Sequence, residues 1–385
     1  IGKHGAEVLR VDVAPDGKWV SSDSEDGTTR LWQLRAEPFD QLAKQFGVVA
    51  ALATSADERV VVAGGDRSTA LLWSGDRRIE LPGHADGVTA VAVSADGRHV
   101  AAGGKDHKIH LWEVATGAAG PVLDAAVTPI ALAMTRDGRR IVASYAGGDL
   151  RVWDVETRTS RSLATIRDAI SPALSPDDRS VAVGERDGSL SLYAIEGGPA
   201  RRLAGSSGMV DFVQFSPDGR HVAGGSSAKG QVRVWDVTTG TSRELVARKG
   251  GVESLAFSRD GRWLAAASTS GDVGLWDLRS KTEHTLRHPR DVLEVAFLGD
   301  GVVTGGIDGT IRVWGYDGIE RSMLRVDGAV LTLDARDGHV FAGTSAGEIY
   351  RWPVAQLGEA PGKISPFLDS LTHARLDTQS QPRSP

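Results

Sequence analysis

Nine aromatic residues recur along this chain at nearly constant intervals. Trp32, Trp73, Trp112, Trp153, Tyr193, Trp235, Trp276, Trp314 and Trp352 are separated by 41, 39, 41, 40, 42, 41, 38 and 38 residues. Such a period restricts the fold to solenoids, propellers or similar arrays, because one unit of this length cannot bury its apolar face alone. The local pattern separates these possibilities. Upstream of each aromatic lie two short runs of alternating apolar and polar residues, as in Val88 to Val93 and Arg98 to Ala102, which is the periodicity of half-buried strands.

Between the two runs stands a tight-turn signal. It reads Pro15-Asp16-Gly17, Ala95-Asp96-Gly97, Arg136-Asp137-Gly138, Pro176-Asp177-Asp178, Pro217-Asp218-Gly219, Arg259-Asp260-Gly261, Gly299-Asp300-Gly301 and Arg336-Asp337-Gly338, with Asp57-Glu58 as the exception. Glycine accepts the positive φ that closes a hairpin, and aspartate bonds its own backbone nearby. Each unit therefore gives two hairpin-linked strands, a third strand carrying the aromatic, and a more variable fourth, such as Arg78 to Leu81 or Arg243 to Val246. No interval has room for the helix of a βαβ crossover. The fold class is all-β, and four-stranded antiparallel blades set radially, with only short protected edges, make a β-propeller.

These residues resemble the WD-repeat (WD40) family over about residues 1 to 352. The dipeptide itself stands at Trp153-Asp154, Trp235-Asp236 and Trp276-Asp277, and the Gly-His opening at Gly83-His84. The resemblance implies a buried blade network of His, Ser or Thr, Asp and Trp. Two units match it fully, at His4, Ser22, Asp26 and Trp32 and at His288, Thr304, Asp308 and Trp314. A third keeps His84, Asp106 and Trp112 but has Ala102 at the hydroxyl position, so its network reads as incomplete.

His, Ser and Asp are also the parts of a nucleophilic triad, which is recognised by geometry and not by order. Here the set recurs in phase with the repeat and exchanges Ser for Thr, which favours scaffolding. Gly343-Thr344-Ser345-Ala346-Gly347 matches the G-x-S-x-G elbow literally, but that motif needs a strand before it and a helix after it, and this one falls between two strands. Asp23-Ser24-Glu25-Asp26-Gly27 lacks the ligand alternation of a calcium loop. Arg10, Asp12, Asp211, Glu253, Glu294 and Asp334 lie on the innermost strands, scattered over five units, and read as a solvated channel lining.

With no cysteine, neither a disulfide nor a Cys-based metal site is available. A net charge of -6 offers no basic footprint for nucleic acid, and no apolar run approaches the roughly 18 residues of a membrane span. No cofactor or metal is expected. The resemblance implies a non-catalytic protein–protein interaction scaffold, with partners held on the rim where the fourth-to-first and second-to-third strand connections emerge. That rim would carry Arg248, Lys249, Arg287, Arg290, Arg167, Lys105 and His107, a set suited to an acidic protein partner. A propeller hydrolase, and a small-molecule or glycan sensor using the central channel, are the alternative functions.

Two ring arrangements are open. Residues 77–358 make a seven-bladed propeller, with residues 1–76 as two repeats ending an earlier one, or all nine units close together. Residues Lys363 to Asp369 are candidates for the last outer strand, and the polar tail over residues 359–385 is expected to be partly disordered. A start at Ile1 without Met suggests the C-terminal region of a larger protein. The 35 Arg against nine Lys suggest a bacterial source, and a cytoplasmic signalling or regulatory context is the corresponding expectation.

Overall fold

A computed structural model describes the backbone over residues 8–13, 19–24, 29–33, 40–43 and 48–353, except 56–58, 75–76, 166–171, 206–207, 246–249, 300 and 336–338, and describes side chains from residue 48 onward. Strands β1 (Val8–Val13), β2 (Trp19–Ser24) and β3 (Thr29–Gln33) form a three-stranded sheet, and β4 (Asp40–Ala43) follows. Residues 49–353 then form eight antiparallel sheets in chain order, blades 1 to 8, beginning at 49, 88, 129, 173, 212, 252, 292 and 330.

Seven of these blades supply their own four strands, whereas blade 8 supplies three and takes β4 as its fourth. The register there pairs Ile349 with Ala43, Tyr350 with Gln41 and Arg351 with Asp40. The first strand of each blade touches the first strands of both neighbours, and that of blade 8 touches that of blade 1. The ring is therefore closed around an axis lined by first strands.

The structure is the all-β propeller expected, but with eight blades in place of seven or nine. Unit two is blade 1 of the same ring, so no boundary falls between residues 76 and 77. The strand that would have completed the first unit's own sheet is used to seal blade 8. It also occupies the place expected of Lys363 to Asp369, and residues 354–385 lie outside the described residues. No helix among the described residues is long and apolar enough to cross a membrane.

Apolar contact between blades holds the ring together. Blade 1 contributes Val62 and Leu72, and blade 2 Val100 and Trp112, to one buried cluster. Across the seam, Val49, Val61 and Trp73 of blade 1 pack with Phe341 and Ile349 of blade 8. Each strand presents residues to both neighbouring blades, which is why its interior reads as nearly continuous Val, Ala, Leu and Gly.

The hairpins owe their precision to a repeated hydroxyl–carboxylate clip. Ser94 Oγ donates to Asp96 Oδ1 (2.6 Å) while accepting the His99 amide (3.0 Å), and Asp96 Oδ1 also accepts the Arg98 amide (3.0 Å). The same hydroxyl–carboxylate bond recurs at Thr135–Asp137, Ser175–Asp177, Ser216–Asp218 and Ser258–Asp260. Gly97 follows at φ 67°, and in blade 4 Asp178 takes that place at φ 59°, a left-handed conformation that Asp tolerates better than most side chains.

Candidate functional site

The blade 7 network is built on Thr304, which is fully buried. Its Oγ1 accepts a hydrogen bond from Trp314 Nε1 (2.8 Å) and lies 2.7 Å from His288 Nε2. The same hydroxyl also lies 3.4 Å from the Arg312 carbonyl, which can take its proton. Burial holds the His288 pKa down at about 4, which keeps the ring neutral. Asp308 does not close the expected tetrad. Its Oδ1 instead accepts from the amide (3.0 Å) and hydroxyl (2.7 Å) of Thr310, and His288 Nδ1 is buried without a hydrogen-bond partner. His4 and Asp26 lie outside the described residues, as do the side chains of Ser22 and Trp32.

In blade 2 the missing hydroxyl does not leave His84 unsatisfied. Its Nε2 lies 3.1 Å from the Ala102 carbonyl and its Nδ1 2.8 Å from Asp106 Oδ1, while Asp106 Oδ2 accepts the Ala85 amide (2.9 Å). The Ala102 carbonyl thus stands where the hydroxyl was expected. Other blades find further substitutes. Trp153 Nε1 donates to the Tyr145 hydroxyl (2.6 Å), and Trp235 Nε1 to the Ala204 carbonyl (2.8 Å). Burial pushes the Tyr145 phenol up to about 12, so it remains a neutral acceptor for the indole.

His110 was not singled out in the sequence, yet it packs edge-on against His84, ring centroids 4.4 Å apart, and stacks on Trp112. The signal was available. The residue two before the aromatic is arginine in four other units, Arg30, Arg151, Arg233 and Arg312, and His110 stands at that place in blade 2.

The innermost strands of blades 5 to 8 bound a cavity of about 700 Å³, into which the structure gathers Glu253, Glu294 and Asp334 beside Gln214 and Ser254. These carboxylates are not scattered as expected; three share one space. Ser254 Oγ donates to Glu294 Oε2 (3.0 Å), and Thr54 bonds Asp334. Burial, followed by the neighbouring Asp334 and Glu253 charges, pushes the Glu294 carboxyl up to about 8. Burial and the Asp291 and Asp211 charges raise Glu253 as well. Asp211 does not line this cavity, and its Oδ2 takes the Ser227 amide and hydroxyl (both 2.6 Å). The side chains of Arg10 and Asp12 are outside the described residues.

A pH dependence follows. Glu294 binds its proton more tightly folded than unfolded, so between about pH 4.5 and 8 the folded state carries more protons and stability falls as pH rises. Glu294→Gln, which keeps the shape without the charge, is expected to flatten that decline and raise the urea midpoint at pH 8.5 while leaving it nearly unchanged at pH 5. Equal slopes for both proteins across pH 5 to 8.5 would contradict it.

On the rim, Arg287 and Arg290 flank buried His288 at the connection from blade 6 to blade 7. The Arg287 side chain is 80% exposed and meets Asp272 only at 3.8 Å, and Arg290 is exposed with no hydrogen bond or ion pair among the described residues. Lys105 and His107 sit on the second-to-third strand turn of blade 2, both exposed, and His107 Nδ1 lies 3.0 Å from Thr128 Oγ1. Blades 2 and 6 are four steps apart in a ring of eight, so these two groups are on opposite sides of the rim. Arg167, Arg248 and Lys249 lie outside the described residues.

Ser345 is in the turn between two strands of blade 8, where its Oγ accepts the Ala329 amide (2.8 Å). No strand-to-helix elbow exists there, and the geometry required of a G-x-S-x-G nucleophile is not met.

Comparison with known proteins agrees with this architecture. A family profile described as "WD domain, G-beta repeat" matches residues 1–33, 75–113, 197–236, 241–277 and 280–315. The crystal structure of the computationally designed Ika8 protein is similar at a TM-score of 0.68 and 26% identity, covering 81% of this chain and 98% of that one.

Proposed function

Because the chain belongs to the WD-repeat β-propeller family, we propose that it is a non-catalytic protein–protein interaction scaffold that holds an acidic partner segment at Arg287 and Arg290. Proteins of this family commonly act this way. Fold analogy is a weak warrant alone, and the observation that supports the site is the pairing state of these two arginines. Both are exposed, neither is held in a close ion pair among the described residues, and buried His288 between them anchors their loop to the blade core. An arginine already fixed on a rigid loop loses less freedom on binding, and arginine is enriched where interfaces concentrate their energy.

In sequence, Arg248 and Lys249 fall between the last strand of blade 5 and the first of blade 6. Lys105 and His107 belong to a different sector and are not part of this contact. A cytoplasmic role in a larger bacterial signalling or regulatory protein is the setting that this reading favours.

The test requires a partner recovered by cross-linking from the source cells and then purified. Arg287→Glu with Arg290→Glu is expected to weaken its binding at least tenfold, with the wild-type affinity falling as salt rises. Arg139→Glu, an exposed substitution in the hairpin of blade 3 on the opposite rim, is expected to change it little. Equal affinities for the wild type and the double variant would remove this sector from the interface.

A further inference from the structure

The geometry points to His84, Asp106 and His110 as a binding site for a divalent transition-metal ion, with zinc the best match to two imidazoles and one carboxylate. One donor atom from each of the three residues lies within 4.8 Å of the others. Tetrahedral zinc holds its ligands about 2.0–2.2 Å from the metal, so neighbouring donors sit roughly 3.3 Å apart. The His84 Nδ1–Asp106 Oδ1 pair stands at 2.8 Å, inside that separation, and would open by roughly 0.5 Å to admit the ion.

The hydrogen-bond pattern around His84 supplies the reason for a cation at this place. A carbonyl can only accept, so the 3.1 Å contact with Ala102 puts a proton on His84 Nε2. In the neutral ring Nδ1 then presents its lone pair to Asp106 Oδ1, 2.8 Å away, and a carboxylate oxygen is also an acceptor. Two acceptors at that separation call for a positive centre between or beside them. The His84 side chain is wholly buried and Asp106 nearly so. A metal ion bound by Nδ1 and the carboxylate answers the same need with a third ligand at hand.

That ligand is His110, whose Nε2 is buried without a hydrogen-bond partner. Gly83 makes room for this ring, since a Cβ there would lie 2.7 Å from His110 Nδ1. The supporting shell matches what metal-bound histidines generally use, an N–H from the distal nitrogen to a backbone carbonyl and a carboxylate fixed by an amide. Blade 7 provides the contrast. There Thr304 Oγ1 takes His288 Nε2, and Arg312, bonded to Thr310 and Glu320, stands at the sequence position of His110, so the third ligand is missing.

The ion would tie the 82–87 connection to the 104–108 turn, both on the rim that carries partner contacts in this family. The site does not depend on the partner-binding reading. To test it, the full chain is stripped with a chelator and titrated with Zn²⁺ by calorimetry and with Co²⁺ by visible absorption. One equivalent of Zn²⁺, a Co²⁺ ligand-field band and a raised melting temperature are expected.

His110→Arg, which installs the residue that blades 3, 5 and 7 carry at this position, should retain the circular dichroism of the parent and bind at least tenfold more weakly. His107→Ala, three residues away and exposed, should bind as the parent does. Undiminished binding by His110→Arg, or no stoichiometric uptake by the parent, would overturn the assignment.

Discussion

A chain shortened to begin at Val48 is expected to melt roughly 5–10 °C below the full chain and to aggregate on heating, whereas one beginning at Arg35 stays within about 2 °C of it. The two differ in β4. Without it, the strand Ile349–Pro353 becomes an open edge, and buried Ile349, Tyr350 and Trp352 lose the cover of a neighbouring strand. Blade 8 also loses a tether, since β4 is the only described strand preceding blade 1 that pairs with the last blade. The β1 to β3 sheet forms no ladder with the ring, so its removal alone leaves the seam intact. Differential scanning calorimetry of the three chains decides the matter. A Val48 chain as stable as the parent would show that β4 does not hold the ring shut.

Thr304→Val is expected to destabilise the protein by about 2–4 kcal/mol. The substitution preserves shape and removes the single oxygen that serves both Trp314 Nε1 and His288 Nε2. Two buried polar groups are then stranded, and each loses hydration with nothing in return. Thr304→Ser, which keeps the oxygen, should cost about 1 kcal/mol or less. Asp308→Asn should also be mild, because a carboxamide oxygen can still accept from both Thr310 donors. Urea unfolding of the three variants ranks them. A severe Asp308→Asn combined with a mild Thr304→Val would restore the tetrad in which the carboxylate, and not the hydroxyl, is the centre.

Blade architecture was legible in the sequence because its signals are local. The Asp-Gly hairpins, the alternating strands and the aromatic in each third strand recur within one unit, and neighbouring units stack wherever that pattern exists. Ring size was not legible in the same way. Nine phased units do not say which strand meets the last one, and Asp40 to Ala43 carries little apolar pattern to mark it as a closing strand.

Side-chain networks were legible only where side chains make them. Ala102 looks like a loss when residues are read as types, yet its carbonyl serves His84. Asp308 looks like the histidine partner and serves Thr310. The channel acids illustrate a third limit. Glu253, Glu294 and Asp334 are spaced by 41 and 40 residues, close to the repeat, so their convergence could have been anticipated from adjacent blades, but their shared burial could not.

The seam has a consequence for how the protein is made. Its two halves come from opposite ends of the ring's sequence, with β4 emerging from the ribosome early and Ile349–Pro353 some 300 residues later. Blades 1 to 7 can therefore assemble during synthesis as an open arc, while β4 waits for its partner. The disc is sealed only by the last blade, after nearly all of the ring has been translated.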